Sequence, residues 1–250
     1  MHRRSNHLRL FSLLSLASLL SLPSASAAPR ETVVLLHGLN RTPRAMSKLA
    51  NALRADGYAV INCDYPSRRE TVESLTTNLF ATLAPQIANA PKVHFVTHSL
   101  GGMLLRAHLQ DHTLPNLGRV VMLGPPNRGS EVVDCLGRLA LFRWINGPAG
   151  TQLGTSANSL PSRLKAPTFE LGVIAGDRSV NPFLSLMIPG ADDGKVSVQR
   201  TRTEGMRDFL KLHVTHTFMM RNSRVIRQTR HFLKIGRFAA SEDGKNCTRQ

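Results

Sequence analysis

The stretch "KVHFVTHSLGGMLLRAHL", residues 92–109, decides the fold prediction because a single serine joins a strand pattern to a helix pattern. Residues 92–97 read as a short apolar strand, and an apolar helical run begins at Met103. Ser99 stands at the corner, followed by Gly101 and Gly102. Each glycine weakens a helix start by about 1 kcal/mol relative to alanine. The corner therefore serves a purpose other than helix stability.

That purpose is typical of a nucleophile. Residues 97–101 have the shape of the G-x-S-x-G elbow, with threonine in place of the first glycine. Such a turn lifts the Ser99 hydroxyl above the sheet edge and directs the N–H of Leu100 to the helix N-terminus, where negative charge is favoured. A second oxyanion-hole N–H is expected from Leu39, in "HGL" after the first strand. We predict a structural role for His37 in the same loop.

Strand-like and helix-like segments alternate along the rest of the chain, which favours an α/β fold with a mainly parallel central sheet and helices on both faces. Pro85 predicts that the second helix ends or kinks near Ala84. The predicted strands are 32–38, 58–66, 92–97, 119–127, 169–176 and 208–214, and the predicted helices are 43–57, 72–87, 99–110 and 223–237.

Residues 128–166 break this alternation, because they show no strand pattern and are rich in glycine, serine and proline. They contain "EVVDCLGRLALFRWI" (131–145), which we interpret as one amphipathic helix. A connection this long is usually functional or mobile. We expect it to form a short lid-like insertion beside the serine corner.

A catalytic base and acid are expected after the serine, in the chain order serine, acid, histidine. His216 lies just beyond the sixth strand, where side chains gather at the site of an open α/β sheet, whereas His213 falls within the strand. Asp193, in "ADDGKVSV", is the preferred acid because its Asp-Gly turn can direct a carboxylate into the site. Asp177 and Asp192 stay open as alternative acids.

Taken in order, "LLHGL", "VTHSLGG", "ADDGKVSV" and "VTHTFM" resemble the α/β-hydrolase superfamily, in particular its bacterial lipase and esterase branch. The resemblance covers about residues 32–238, and the threonine in the elbow departs from the usual glycine. It implies a triad of Ser99, Asp193 and His216 that cleaves carboxylic esters through an acyl-enzyme, with no cofactor. An acyltransferase, thioesterase or amidase would use the same triad.

The N-terminus resembles a secretory signal peptide over residues 1–27, with three arginines, an apolar run at 10–22 and the small residues Ala25-Ser26-Ala27 before the cleavage point. A retained N-terminal anchor is the alternative. We expect an exported protein, periplasmic or secreted, with one hydrolase domain over residues 28–250.

The chain carries a formal net charge of +16, which favours contact with an anionic membrane surface, while no nucleic-acid motif accompanies the charge. In the last predicted helix an apolar arc faces a basic one, formed by Arg224, Arg227, Arg230, Lys234 and Arg237. We interpret it as a covering helix of the sheet whose basic face could meet anionic lipid. The other class of function left open is a non-catalytic protein that binds anionic surfaces.

Three cysteines, Cys63, Cys135 and Cys247, allow one disulfide, and Cys63–Cys135 is the first hypothesis. None of them has zinc-site spacing, so the sequence predicts no metal.

Overall fold

The computed structural model of the chain describes residues 30–240, and its six strands correspond to the six predicted ones. Four of them end earlier than predicted, because the residues at their carboxyl ends turn away to form loops. The strands are β1 (Thr32–Leu36), β2 (Ala59–Asn62), β3 (Val93–His98), β4 (Leu117–Leu123), β5 (Leu171–Gly176) and β6 (Asp208–Leu212).

Helices separate these strands. They are α1 (Ser47–Ala55), α2 (Val72–Ile87), α3 (Leu100–Asp111), α4 (Glu131–Leu136), α5 (Ala140–Thr151), α6 (Leu160–Arg163), α7 (Pro182–Ser185), α8 (Val198–Thr201) and α9 (Ser223–Ile235). The expected end of the second helix near Ala84 is wrong, because α2 continues through Pro85 to the buried Ile87.

All neighbouring strands are parallel, in the order β2-β1-β3-β4-β5-β6. The chain runs from β1 outward to β2 and then returns to place β3 on the other side of β1. Ligands bind outside the carboxyl ends of the strands at such a switch point. Leu39 follows β1 and Ser99 follows β3, so the topology brings these two residues to that point.

Helices cover both faces of the sheet, as predicted. The helices α2 and α3 pack on one face, and α1 and α9 pack on the other. The apolar arc of α9 is buried, which confirms its interpretation as a covering helix: Val225, Ile226, Thr229, Phe232 and Leu233. Part of its basic face is neutralised within the chain, because Arg230 and Lys234 pair with Asp56.

Between β4 and β5, residues 128–166 form what we call the insertion. The prediction of one helix over 131–145 is wrong, since α4 ends before Gly137 and the extended backbone of Leu139 separates it from α5. Gly147 interrupts α5 again with φ +63°. A Cβ there would overlap the carbonyl oxygen of Arg68, so only glycine fits at this contact.

Arg106 of α3 holds both ends of the insertion. Its side chain is 5% exposed, and Nη1 donates to the main-chain oxygen (3.1 Å) and Oδ1 (3.0 Å) of Asn127, just before the insertion. Nη2 donates to the carbonyl oxygens of Leu164 (3.2 Å) and Lys165 (3.0 Å) at its other end. One side chain on the helix that follows Ser99 therefore fixes where the insertion leaves and rejoins the sheet.

The predicted Cys63–Cys135 disulfide is wrong, because both residues are free thiols. Cys63 is buried in the cluster beneath α2, where burial raises its pKa to about 12, whereas Cys135 is exposed on α4. Cys247 and the predicted signal peptide, residues 1–27, lie outside the described residues. Within residues 30–240, no helix has the length and apolar character needed to cross a membrane.

Candidate active site

Ser99 occupies a strained corner between β3 and α3. Its φ of +52° and ψ of −120° are a conformation that residues other than glycine rarely adopt, at a cost of roughly 1–3 kcal/mol. The corner is held by two hydrogen bonds: the N–H of Ser99 donates to the carbonyl of Leu123 (2.9 Å), and its carbonyl accepts from the N–H of Gly102 (3.0 Å).

Gly101 explains how strand and helix come so close at this corner. A Cβ at this position would lie 2.6 Å from the carbonyl oxygen of Leu36 and 2.8 Å from that of His37. The backbone of β1 therefore passes directly against the first turn of α3, and any side chain at 101 would push them apart. The glycine that weakens the helix is required by this packing.

The structure brings Ser99, His216 and Asp193 together. Oγ of Ser99 lies 3.0 Å from Nε2 of His216, and Nδ1 of His216 lies 2.7 Å from Oδ2 of Asp193. His216 is 4% exposed and Asp193 1% exposed. A hydroxyl, an imidazole and a carboxylate thus stand in hydrogen-bonding sequence.

Main-chain donors orient the Asp193 carboxylate. Oδ1 accepts from the N–H groups of Lys195 (3.0 Å) and Val196 (2.9 Å), leaving Oδ2 for the imidazole. The turn anticipated from the "ADDGKVSV" motif provides these donors.

Neither alternative acid reaches His216. Asp177 pairs with the other candidate base, as its Oδ1 lies 3.0 Å from Nδ1 of His213, and with Lys211 (3.4 Å). Asp192 Oδ1 accepts from Oγ of Ser185 (2.9 Å) and from the N–H of Gly194 (2.7 Å).

The two expected oxyanion donors, the main-chain N–H groups of Leu39 and Leu100, have no hydrogen-bond acceptor within the described residues. The loop carrying Leu39 is held from behind by a ring stack of His37 on Tyr65, with centroids 4.0 Å apart. The Tyr65 hydroxyl donates to the His37 carbonyl, and burial lowers the pKa of His37, which keeps its ring neutral. These contacts agree with the structural role expected of His37.

His98 is a positioning residue that the sequence reading placed among the ordinary core or surface histidines. Its Nε2 donates to the carbonyl oxygen of His216 (2.9 Å), and the two rings lie 4.9 Å apart. Burial, reinforced by the facing His216 ring, lowers the pKa of His98 well below its usual value. The neutral ring therefore supports the loop that carries His216. Its place directly before the serine is the signal that could have identified it.

The serine opens into a cavity of about 270 Å³. One wall comes from the insertion, as expected, and is mainly apolar: Val132, Val133, Leu136, Phe142, Ile145 and Leu153. The lining also includes the polar residues Asn40, Arg41 and Lys195, which sequence reasoning did not single out, and Nδ2 of Asn40 donates to Oδ1 of Asn146 in the insertion (3.1 Å). The cavity can therefore hold a molecule that carries both apolar and polar groups.

In the described part of the chain, no group of three or more histidine, cysteine, aspartate or glutamate side chains is placed to hold a metal ion. The chemistry that the site offers is that of the serine, the imidazole and the carboxylate.

In a comparison with known families, residues 33–231 match the model of the alpha/beta hydrolase family. A sequence search of curated proteins finds no match.

Similar solved structures include lipase BlEst2 of Bacillus licheniformis in its mature form, at 19% identity and a TM-score of 0.61, covering 86% of this chain and 95% of the lipase. Phospholipase PlaB from Legionella pneumophila has 19% identity and a TM-score of 0.60, covering 82% of this chain and 57% of PlaB. The metagenomic carboxyl esterase MGS0156 has 18% identity and a TM-score of 0.55, covering 78% and 67%. At these identities the likeness concerns the fold.

Proposed function

The chain belongs to the alpha/beta hydrolase family, and on that premise we propose that it is a serine hydrolase that cleaves carboxylic esters. One observation carries the proposal: Oγ of Ser99, the imidazole of His216 and the carboxylate of Asp193 form a continuous hydrogen-bonded series. This arrangement activates a serine hydroxyl for attack on a carbonyl carbon.

In the first half-reaction, Nε2 of His216 takes the proton of the Ser99 hydroxyl as Oγ bonds to the ester carbonyl carbon. The carbonyl oxygen becomes an oxyanion, and the N–H groups of Leu39 and Leu100 donate to it, each worth about 3 kcal/mol. The bond to the alcohol oxygen then breaks, and His216 gives its proton to the departing alcohol.

In the second half-reaction, water attacks the acyl-enzyme while His216 accepts one of its protons. The tetrahedral intermediate collapses, Oγ of Ser99 recovers its proton from His216, and the carboxylic acid leaves. Asp193 keeps the proton of the neutral ring on Nδ1 and stabilises the imidazolium formed in each half-reaction.

An apolar surface around the cavity mouth favours a lipid-like ester. Eight of the nine exposed large apolar side chains of residues 30–240 lie in segments that line or adjoin the cavity, and we call these eight the apolar rim: Leu139, Leu141, Trp144, Ile145, Val180, Phe183, Leu186 and Phe218. Exposed apolar patches of this kind mark interaction sites. We propose that the rim meets aggregated ester at a lipid–water interface, with the acyl chain against the insertion.

Three other expectations remain proposals: export directed by residues 1–27, a single hydrolase domain over 28–250, and contact of the basic chain with an anionic membrane surface. The net charge of +16 supports the last.

The test is hydrolysis of p-nitrophenyl esters from acetyl to palmitoyl by residues 28–250, compared with Ser99→Ala and with Ser162→Ala as a surface control. We expect turnover by the wild type and the control and none above background by Ser99→Ala. The chain length with the highest kcat/KM separates an esterase from a lipase. Equal inactivity of wild type and Ser99→Ala on all esters would overturn the proposal.

A further inference from the structure

Two cations that line the catalytic cavity have no ion-pair partner among the described residues. Arg41 and Lys195 line the same cavity as Ser99 and His216. Neither side chain forms an ion pair or a hydrogen bond with any residue between 30 and 240, whereas Arg200, Arg207 and Arg230 are all paired with carboxylates. A charged group with a shifted pKa that lines a cleft, as Lys195 does, is a candidate for a functional site.

The carboxylate of Asp193 attracts the ammonium group of Lys195, but both of its oxygens already accept other hydrogen bonds. Its oxygens accept from the His216 ring and from the N–H groups of Lys195 and Val196. Crowding by surrounding protein atoms and the nearby guanidinium of Arg41 lower the pKa of Lys195, although the residue as a whole is exposed. The two cations are thus close enough to repel each other, and an anion bound between them would relieve that repulsion.

Both cations lie near His98, Arg41 in the loop after β1 that carries Leu39 and Lys195 in the loop that carries Asp193. Lys195 follows Asp193 by two residues, and the charges of Arg41 and Lys195 both act on His98, whose ring lies beside that of His216. His216 must protonate the departing alcohol, so the alcohol half of an ester lies on this side. The apolar wall of the insertion is left for the acyl half.

An open groove of about 750 Å³ begins at Arg41 and leads away from the cavity. It is lined by two further exposed arginines, Arg68 and Arg69, against one carboxylate, Asp64. The positively charged side chains of the cavity therefore continue along the groove. The groove also has room for a charged group that is too large for the cavity.

Resting on the proposed ester hydrolysis, we propose that Arg41 and Lys195 form a phosphate-binding subsite that selects esters whose alcohol half carries a phosphate. A phosphate monoester carries close to two negative charges at neutral pH, which matches the two cations, and a guanidinium can bind it through two hydrogen bonds. The reaction then releases a carboxylic acid and a phosphorylated alcohol. The phosphate can belong to a lipid headgroup or to a small soluble molecule.

The test compares the kcat/KM for butyryl glycerol 3-phosphate with that for neutral monobutyrin, in the wild type, Arg41→Gln, Lys195→Gln and the exposed control Arg44→Gln. The ratio of the two values cancels any loss of activity common to both substrates. We expect the wild type to prefer the phosphorylated ester, the ratio to fall about tenfold in each cavity variant, and Arg44→Gln to keep it, since one charge-assisted contact is worth about one decade.

A binding measurement tests whether the phosphate subsite exists independently of any turnover. Calorimetric titration of Ser99→Ala with glycerol 3-phosphate should show binding that is lost in Ser99→Ala/Arg41→Gln. Binding without turnover of any ester would retain the subsite and overturn the proposed function. Turnover with equal kcat/KM for both esters, unchanged by the cavity variants, and no binding would overturn the subsite and retain the function.

A second pair of substrates distinguishes the source of the phosphate. Palmitoyl glycerol 3-phosphate in mixed vesicles and soluble butyryl glycerol 3-phosphate carry the same headgroup. A higher kcat/KM for the vesicle substrate assigns the subsite to lipid headgroups, and a higher value for the soluble one assigns it to small organic phosphates.

Discussion

Asp193 and His216 are joined twice, once through their side chains and once through their main chains. Oδ2 of Asp193 lies 2.7 Å from Nδ1 of His216, and the N–H of His216 donates to the Asp193 carbonyl oxygen at 2.9 Å. The main-chain hydrogen bond fixes the loop of Asp193 relative to the loop of His216. The side-chain contact between the carboxylate and the imidazole therefore has a defined geometry. The ring therefore presents Nε2 to Ser99 in a single orientation.

We expect Asp193→Asn to lower kcat by about 10,000-fold, the scale known for loss of the acid in a serine protease triad, because an amide can hold the imidazole in the wrong tautomer. The measurement is steady-state hydrolysis of the best p-nitrophenyl ester. Asp177→Asn is the matched control, since Asp177 pairs with His213 instead, and it should keep kcat within about twofold. Equal losses in the two variants would contradict the assignment of Asp193.

The apolar rim predicts a selective loss on aggregated substrate. Trp144→Ser with Phe183→Ser removes two side chains that are 73% and 75% exposed, so the fold loses little packing. We expect at least a fivefold drop in activity on emulsified long-chain ester and a small change on soluble acetyl ester. Each Å² of apolar side chain buried in the lipid surface contributes about 25 cal/mol to binding, and the double variant loses this contribution only with the emulsified substrate.

Ile235→Ser is the control for this double variant, because Ile235 is also exposed (59%) but lies on α9, away from the cavity. It should leave both activities unchanged. A drop on emulsified ester in the control, or parallel drops on both esters in the double variant, would argue against an interfacial role of the rim.

Arg106 predicts a large effect on stability. Arg106→Met removes four hydrogen bonds to the two ends of the insertion and leaves their acceptors without this donor. We expect the free energy of unfolding to fall by about 1.5–3 kcal/mol, measured by urea denaturation. Arg106→Lys should restore only part of it, because an ammonium group cannot copy the planar fork of a guanidinium. Full recovery in Arg106→Lys would show that charge alone suffices.

Buried histidines predict that the protein loses stability in acid. Burial lowers the pKa of His37, His94, His98 and His108, the last to about 4 from an ordinary 6.5. Below pH 6.5 the unfolded chain binds protons that the folded chain does not, so the free energy of unfolding falls as the pH falls from 6.5 toward 4.

Urea denaturation at intervals between pH 6.5 and 4 measures how steeply the free energy of unfolding changes with pH. His108→Gln should make this pH dependence shallower. The ring of His108 stacks on Phe80 with centroids 3.6 Å apart, and in the folded chain it takes up its proton only near pH 4. A free energy of unfolding that stays constant between pH 6.5 and 4 would contradict the effect of burial on these rings.

Local patterns sufficed for the sheet and for the positions of the three candidate catalytic residues. The alternation of segments predicts the parallel strands, and the order serine, acid, histidine places Ser99, Asp193 and His216 at one edge. Parallel strands with helical crossovers leave few other arrangements, since the hand of each crossover is fixed.

Features that depend on distant contacts could not be predicted. The bond from His98 to the main chain of His216 joins residues 118 apart in sequence. Arg41 and Lys195 line one cavity only because the loop after β1 and the loop before α8 both reach it. The Cys63–Cys135 hypothesis failed for the same reason: cysteine number allows a pair, but only the fold decides whether two thiols face each other.

The most direct test of the central claim is covalent labelling of the nucleophile. Incubation of residues 28–250 with a fluorophosphonate, followed by peptide mass spectrometry, reports the serine whose Oγ displaces fluoride and bonds to phosphorus. We predict one label per chain, on Ser99, and none in Ser99→Ala. An unlabelled wild type, or a label on another serine that persists in Ser99→Ala, would contradict the assignment of Ser99 as the nucleophile.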